Sequence, residues 1–335
     1  MKIGSRRYLG GKQKLTPFIR EIVDKECRDV ERFFDVFGGT GVVSAAFLDK
    51  TLFVNDSLYV NYLSYLTWFS NERYNPLYIN ALIARYNALE DSSEENYMSK
   101  NFADAYFSKK TCIKIGRIRE DIENRYKAQE INERERAILI TSLIYAIDKV
   151  ANTCGHYDAY RKGVEFHDDF VMEAPEIQEG LSPKNRCFNE DANVLAKQLV
   201  CDLAYLDPPY NSRQYCDLYH VLENVARWEK PQTFGVARKM DRSNLKSAFC
   251  TNGAFKAFER LVSDLDCRYI VLSYNNTGDK ADGRSNARIS DEQILQVLSR
   301  KGKVKVFSRA HKAFTAGKSH NVDNEERLFL CEVES

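Results

Sequence analysis

The chain has 335 residues, 44% hydrophobic and 29% charged, the balance of a globular protein long enough to bury a sizeable core. Forty-nine Lys and Arg against 48 Asp and Glu leave a formal charge of +1, so net charge singles out neither nucleic acid nor an acidic partner. No apolar run reaches the ~18 residues of a membrane span, none follows the basic N-terminus as in a secretory signal, and nine scattered cysteines without a C-x-x-C pair argue against a disulfide framework.

Reduced thiols in a cytoplasmic protein are therefore expected. The five histidines show no metal-ligand spacing, and no metal is expected. Charge is unevenly spread. Residues 1–20 carry six Lys or Arg and no acid, 108–119 carry five, and 300–318 carry seven. If folding brings these blocks together they form a cationic face; taken singly, each also reads as a solvated loop or helix face.

In chain order, FFDVF (33–37) is an apolar strand running into Gly38, Gly39 and Gly41, and VVSAAFLDK reads as the helix that follows. LFVND (52–56) is a second strand. From about 58 to 150 the pattern is helical, most clearly in 132–152, where apolar residues recur at three- and four-residue steps. Residues 153–186 are rich in Gly, Pro and acids and read as loops. Strands return at 202–207, 268–274, 303–309 and 327–333, with helices at 254–265 and 290–300. Alternation of this kind predicts an α/β fold with a mostly parallel sheet. The last two strands, with no helix between them, are expected to pair antiparallel. The economical division is one α/β domain from 1–69 and 186–335, with a mostly helical insertion at 70–185.

A strand, glycine turn and helix opening such a sheet form the usual floor of a nucleotide-type site, and Asp56, closing the next strand, is placed to hold ribose hydroxyls. Ser44 stands where a dinucleotide fingerprint has a third Gly or Ala. At 207–210, Asp-Pro-Pro-Tyr follows the strand DLAYLD. Two prolines cannot donate to the ladder, so the segment leaves the sheet with its carbonyls outward. It lies at the carboxyl end of a strand, where open α/β sheets bind ligands. A carboxylate (Asp207), carbonyl acceptors (Pro208, Pro209) and an aromatic face (Tyr210) suit the exocyclic amine of a planar base, which must leave the duplex to be reached.

These pieces together resemble the S-adenosylmethionine-dependent amino-group DNA methyltransferases, specifically the D12-class N6-adenine enzymes of the alpha arrangement, similar to the Dam-type proteins and to modification methylases. RYLGGKQKL (7–15), DVFGGTG (35–41), VND (54–56), NEDA (189–192) and DPPY (207–210) follow the family's order, and NSRQY (211–215) resembles the type II and type IIS modification enzymes. The resemblance implies a Rossmann-like methyltransferase sheet whose helical insertion recognises the target. It implies Tyr8, Gly11 and Lys12 at the cofactor, Lys12 near its carboxylate. Asp35, Phe37, Gly39 and Gly41 surround the methionine part, Asp56 the ribose, and Asp191 or its neighbour Glu190 the adenine amine. Tyr8 departs from the tryptophan of the Dam-type motif.

The expected reaction is methyl transfer from S-adenosylmethionine to N6 of a flipped adenine in double-stranded DNA. N4-cytosine transfer needs nearly the same corner. A NAD-dependent oxidoreductase leaves the Asp-Pro-Pro-Tyr segment idle, and a non-catalytic nucleic-acid binder leaves the intact motifs unexplained. Arg213, beside the catalytic motif, is expected at the DNA backbone. Asn152, His156, Tyr157, Tyr160, Arg161 and Lys162, on a Gly-bearing loop, are expected to read bases or to wedge into the gap left by the flipped adenine. Arg309, Lys312 and Lys318 are expected to clamp phosphates. The expected working unit is a monomer off the membrane, with any cognate restriction endonuclease acting separately.

Overall fold

A computed structural model of the protein describes residues 3–4, 6–209, 211–275, 289–310 and 325–334. Its strands, β1 (Arg32–Asp35), β2 (Thr51–Asn55), β3 (Arg186–Phe188), β4 (Leu203–Leu206), β5 (Tyr269–Asn275), β6 (Gly302–Ala310) and β7 (Glu325–Val333), form one sheet in the order β3-β2-β1-β4-β5-β7-β6. The first five run parallel, whereas β7 is antiparallel to both β5 and β6. This is the mostly parallel sheet, with an antiparallel final pair, that the strand–helix alternation implies. On β6, an edge strand, Lys303 and Lys305 point to solvent, which blunts pairing with another chain.

Alternate residues of each central strand feed opposite faces. Phe33, Leu52, Leu203 and Val271 pack on one side with α1 (Thr16–Glu26) and the aromatic face of α2 (Tyr59–Phe69). Phe34, Ala204, Ile270 and Phe329 pack on the other. A third core unites α2 with α3 (Pro76–Asn87), α4 (Tyr97–Phe102), α5 (Lys109–Lys127) and α6 (Glu133–Val150). Polar caps start these helices: Asn75 with Pro76 behind it, Ser108, and Asn132 in a reciprocal box with Glu135. The helices of the 70–185 stretch thus share a core with α2, before it, and with residues 216–228 after it.

The remaining helices follow: α7 (Ala192–Leu195), α8 (Tyr215–Leu218), α9 (His220–Arg227), α10 (Ala254–Asp264) and α11 (Asp291–Ser299). Two differences from the sequence reading bear on function. The helix expected after the glycine turn is a single 3-10 turn, Ser44–Phe47. The Ser44 hydroxyl donates to Asp35, and Phe47 stacks on Phe33 at 4.1 Å, so both residues are drawn down onto β1 before a longer helix can form. The edge strand β3 was missed: three residues carry too little periodicity to register.

Candidate active site

The strand order reverses between β1 and β4: from β1 the chain moves outward to β2, whereas β4 lies on its other flank. Ligands of open α/β sheets bind at such a switch point, outside the carboxyl ends of the strands. A cavity of about 270 Å³ lies there, lined from β1 by Asp35 and Phe37, from the glycine turn by Gly38 and Gly39, from β2 by Asp56, and from β4 by Asp207 and Pro209. The strip Asn189–Ala192 reaches the same cavity because it follows β3.

The glycine turn is built to leave backbone exposed. The amide of Gly38 donates to the Asn55 carbonyl at 2.8 Å, that of Gly41 to the Gly38 carbonyl at 2.7 Å, and that of Gly39 to Asp56 Oδ2 at 3.0 Å. Gly39 sits at φ +53°, and a Cβ there would come within 3.1 Å of the Tyr8 ring, so only glycine brings the two segments together. The sequence reading did not single out Asn55. Its amide donates to the carbonyls of Val36 and Glu190 at 3.1 Å each, and its oxygen accepts from Glu190 N, tying the glycine turn to the 189–192 strip. Asp191, exposed, caps α7 by accepting from the amides of Asn193 and Val194.

Three carboxylates converge. Asp35 is 1% exposed; Ser44 Oγ donates to one oxygen at 2.6 Å, and the other oxygen is buried without a hydrogen-bond partner among the described residues. Burial pushes its pKa up to about 7, against the Ser44 hydrogen bond and with help from the charges of Asp207 and Asp56. Burial likewise raises Asp56 to about 6, although the amides of Leu58 and Gly39 donate to it. Asp207 lies 3.2 Å from the buried ammonium of Lys12. An anionic pocket with an orphaned carboxylate oxygen suits a cationic ligand. S-adenosylmethionine, carrying a sulfonium and an ammonium, fits that donor set.

The 7–12 segment is pinned across the mouth by partners the sequence did not reveal. The Leu9 amide donates to Tyr219 Oη at 2.6 Å and its carbonyl accepts from Tyr215 Oη at 3.0 Å. Tyr8 stacks on Tyr219 at 4.9 Å and accepts from Asn61. The Arg7 amide donates to Asp148 Oδ2 at 2.7 Å, while Asp148 Oδ1 accepts from Tyr157 Oη at 3.0 Å. Gly11 and Lys12 line the cavity. Phe37 meets Phe249 edge-on at 5.0 Å across it.

At the Asp-Pro-Pro corner after β4, Pro208 is buried and Pro209 half-buried, while Tyr210 lies outside the described residues. Beyond it, Gln214 exchanges two hydrogen bonds with the Ser247 backbone (2.8 and 3.0 Å), holding Asn244–Ser247 on the cavity rim. Arg213 is exposed there, and so is Lys246.

The loop expected to read DNA separates into two kinds of residue. Tyr157 is fully buried, hydrogen-bonded to Asp148 and packed near Tyr106, so the expectation that it contacts DNA is corrected: it is part of the scaffold. Asn152 spends its amide on the carbonyls of Ala105 and Arg161, and Tyr160 rests edge-on against Tyr106, so both serve the loop's shape. His156 is half-buried, its pKa lowered first by burial and then by nearby Arg213. Arg161 and Lys162 are exposed.

The basic blocks do not gather into one cationic face among the described residues. Arg119 is fully buried and donates to the Val225 and Ala226 carbonyls at the end of α9. Lys109 and Lys110 pair with Glu95 and Asp91, and Lys301, Lys303 and Lys305 are engaged by Ser263, Glu334 and Glu26. Arg309 lies over the Phe18 ring; Lys312 and Lys318 fall outside the described residues. Local composition counted the cations but not the acids that folding brings to them.

Comparison with known proteins shows the family. The family model of D12 class N6 adenine-specific DNA methyltransferases matches residues 8–277. The chain is 34% identical over 311 residues to the modification methylase StsI of Streptococcus sanguinis, covering 87% of this chain and 46% of that protein. It is 30% identical over 289 residues to the modification methylase LlaI of Lactococcus lactis, with 81% and 46% covered. It is also 30% identical over 327 residues to the type II methyltransferase M.NlaIII of Neisseria lactamica, covering 94% of each. The chain thus spans about half the length of the first two relatives and nearly all of the third.

Proposed function

The chain belongs to the D12 class of N6 adenine-specific DNA methyltransferases, and from that membership we propose that it transfers a methyl group from S-adenosylmethionine to N6 of an adenine flipped out of double-stranded DNA. One observation carries the reading: the Asp207-Pro208-Pro209 corner opens into the same cavity as the glycine turn, with Lys12 ion-paired to Asp207. A methyl donor held by the one therefore faces an amine held by the other.

When bound, the cofactor supplies an electrophilic methyl on a sulfonium. Asp35 favours its positive charges, Asp56 accepts from its ribose hydroxyls, and the Gly39–Gly41 backbone gives it room. Asp191 and the 189–192 strip take its adenine end. At the other end Asp207 and the Pro208 carbonyl accept from the N6–H groups of the target, which draws the nitrogen lone pair out of conjugation and stabilises the charge that grows on it. Lys12 neighbours Asp207 and favours its ionised, accepting form. The role that the family resemblance gives Tyr210, which lies outside the described residues, is to stack on the base. The helical 70–185 stretch reads the target sequence, with Arg161 and Lys162 toward the DNA. The working unit is a cytoplasmic monomer serving as the modification partner of a separate restriction endonuclease.

The test is incubation with S-adenosylmethionine and unmethylated DNA, followed by mass spectrometry of the nucleosides, with Asp207→Ala alongside. N6-methyladenine from the wild-type protein only is the expected result. N4-methylcytosine would overturn the choice of base, and no methylated base at all would overturn the substrate.

A further inference from the structure

Residues 233–239 form a tight hairpin that the methyl-transfer reading leaves without a task. Phe234 and Lys239 exchange both backbone hydrogen bonds (2.7 and 2.9 Å), and the turn between them closes from Arg238 N to the Gly235 carbonyl at 3.1 Å. At its tip Phe234 is 56% exposed and Val236 74% exposed. The base beneath is firmly held. Arg238 donates to the carbonyls of Asn101 and Ala103, Thr233 to the Asn101 side chain, and Tyr106 Oη to the Ala237 carbonyl at 2.9 Å. A phenylalanine and a valine thus stand in water side by side on a braced support.

The hairpin also has a fixed place relative to the catalytic corner. Lys239 pairs with Asp158 of the 152–162 loop and lies 3.7 Å from Asp217 of α8, the helix that begins at cavity-lining Tyr215. The 152–162 loop that Lys239 holds carries exposed Arg161 and Lys162, Arg213 lies near His156 of that loop, and exposed Lys246 lines the cavity; among the described residues none of the four makes an ion pair. An apolar tip tied through Lys239 to a loop that carries such cations matches the chemistry of a duplex, whose phosphates take the cations and whose base stack takes the tip. Tyr157, the large aromatic of the neighbouring loop, is buried and unavailable for that task.

We propose that the Phe234–Val236 tip is a DNA wedge, inserting into the base stack beside the target adenine and holding the space the flipped base leaves. This rests on the reading of the cavity as a site for a flipped base. The wedge lowers the cost of opening a paired duplex and gives no advantage where the target is already unpaired.

The test uses the full chain, after its target has been mapped, on two duplexes: one fully paired, the other with an abasic position opposite the target adenine. For the Phe234→Ala/Val236→Ala double variant, kcat/KM on the paired duplex should fall by about tenfold or more. On the abasic duplex the loss should shrink to about twofold, with S-adenosylmethionine affinity unchanged. Equal losses on both duplexes, or no loss on either, would overturn the wedge. A second variant, Phe234→Trp, should lose indole fluorescence on adding paired target DNA, and an unchanged spectrum would count against insertion. Wild-type protein that methylates neither duplex would instead sink the underlying reading of the cavity.

Discussion

Asp35 gives the most pointed prediction, because its environment works against its charge until a cation arrives. In the folded protein burial places its pKa at about 7, and Asp56 at about 6. S-adenosylmethionine favours both ionised forms, so its binding must expel whatever protons they hold. At pH 8 about nine tenths of Asp35 is already ionised; at pH 6 only about one tenth is, and Asp56 is about half ionised. Lowering the pH from 8 to 6 should therefore weaken binding about twentyfold, roughly tenfold from Asp35 and twofold from Asp56. Calorimetry in buffers of different ionisation enthalpy should detect about half a proton released at pH 7 on account of Asp35.

Stability carries the opposite sign. A carboxyl whose folded pKa is raised from 3.8 to about 7 holds its proton more tightly when folded, so stability falls as pH rises from about 4 to 7 and stays lower above that. Asp35→Asn should thus melt higher than wild type at pH 8 by a margin on the order of a few kcal/mol, shrinking toward pH 4, while binding the cofactor poorly and with little pH slope. A wild-type affinity flat between pH 6 and 8, or a slope preserved in Asp35→Asn, would refute the argument.

Four further outcomes follow from the same geometry. Gly39→Ala should cost about 1 kcal/mol of stability and most of the cofactor affinity, because the left-handed backbone and the Tyr8 ring leave no place for a Cβ; calorimetry and melting measure both. Arg119→Met should destabilise by about 2–4 kcal/mol in urea melts, leaving the Val225 and Ala226 carbonyls and Glu123 short of a donor, without changing cofactor affinity. Lys246→Ala and Arg213→Ala should each reduce the slope of log K for DNA against log salt by about 0.9, whereas Lys305→Ala, already paired with Glu26, should leave it unchanged. Tyr157→Phe should cost about 1 kcal/mol through the lost Asp148 hydrogen bond and leave that salt slope intact, as expected of scaffold rather than DNA contact.

Which parts of the molecule were open to sequence reasoning follows from the range of the interactions involved. Asp35, Gly39, Gly41, Asp56 and Asp207 could be found because each lies at a strand end, and strand ends are written in local alternation and in Gly and Pro. Helix α6 was legible because its apolar residues recur at three- and four-residue steps over five turns. The family resemblance then gave those residues roles that spacing alone leaves open. Everything that depends on distant partners was out of reach. Asn55 matters because β3 brings Glu190 beside it, and Asp148 because α6 lies against the N-terminal segment. Tyr157 looked like a loop aromatic and is core, while nothing in the sequence singled out Phe234, which is held out in water. Cations of the basic blocks are taken up by acids and carbonyls remote in sequence, as Lys305 is by Glu26, 279 residues away. Local pattern determines where the chain turns and which backbone positions stay bare; which charges remain free, and which rings face solvent, is decided only when segments remote in sequence compete for the same partners.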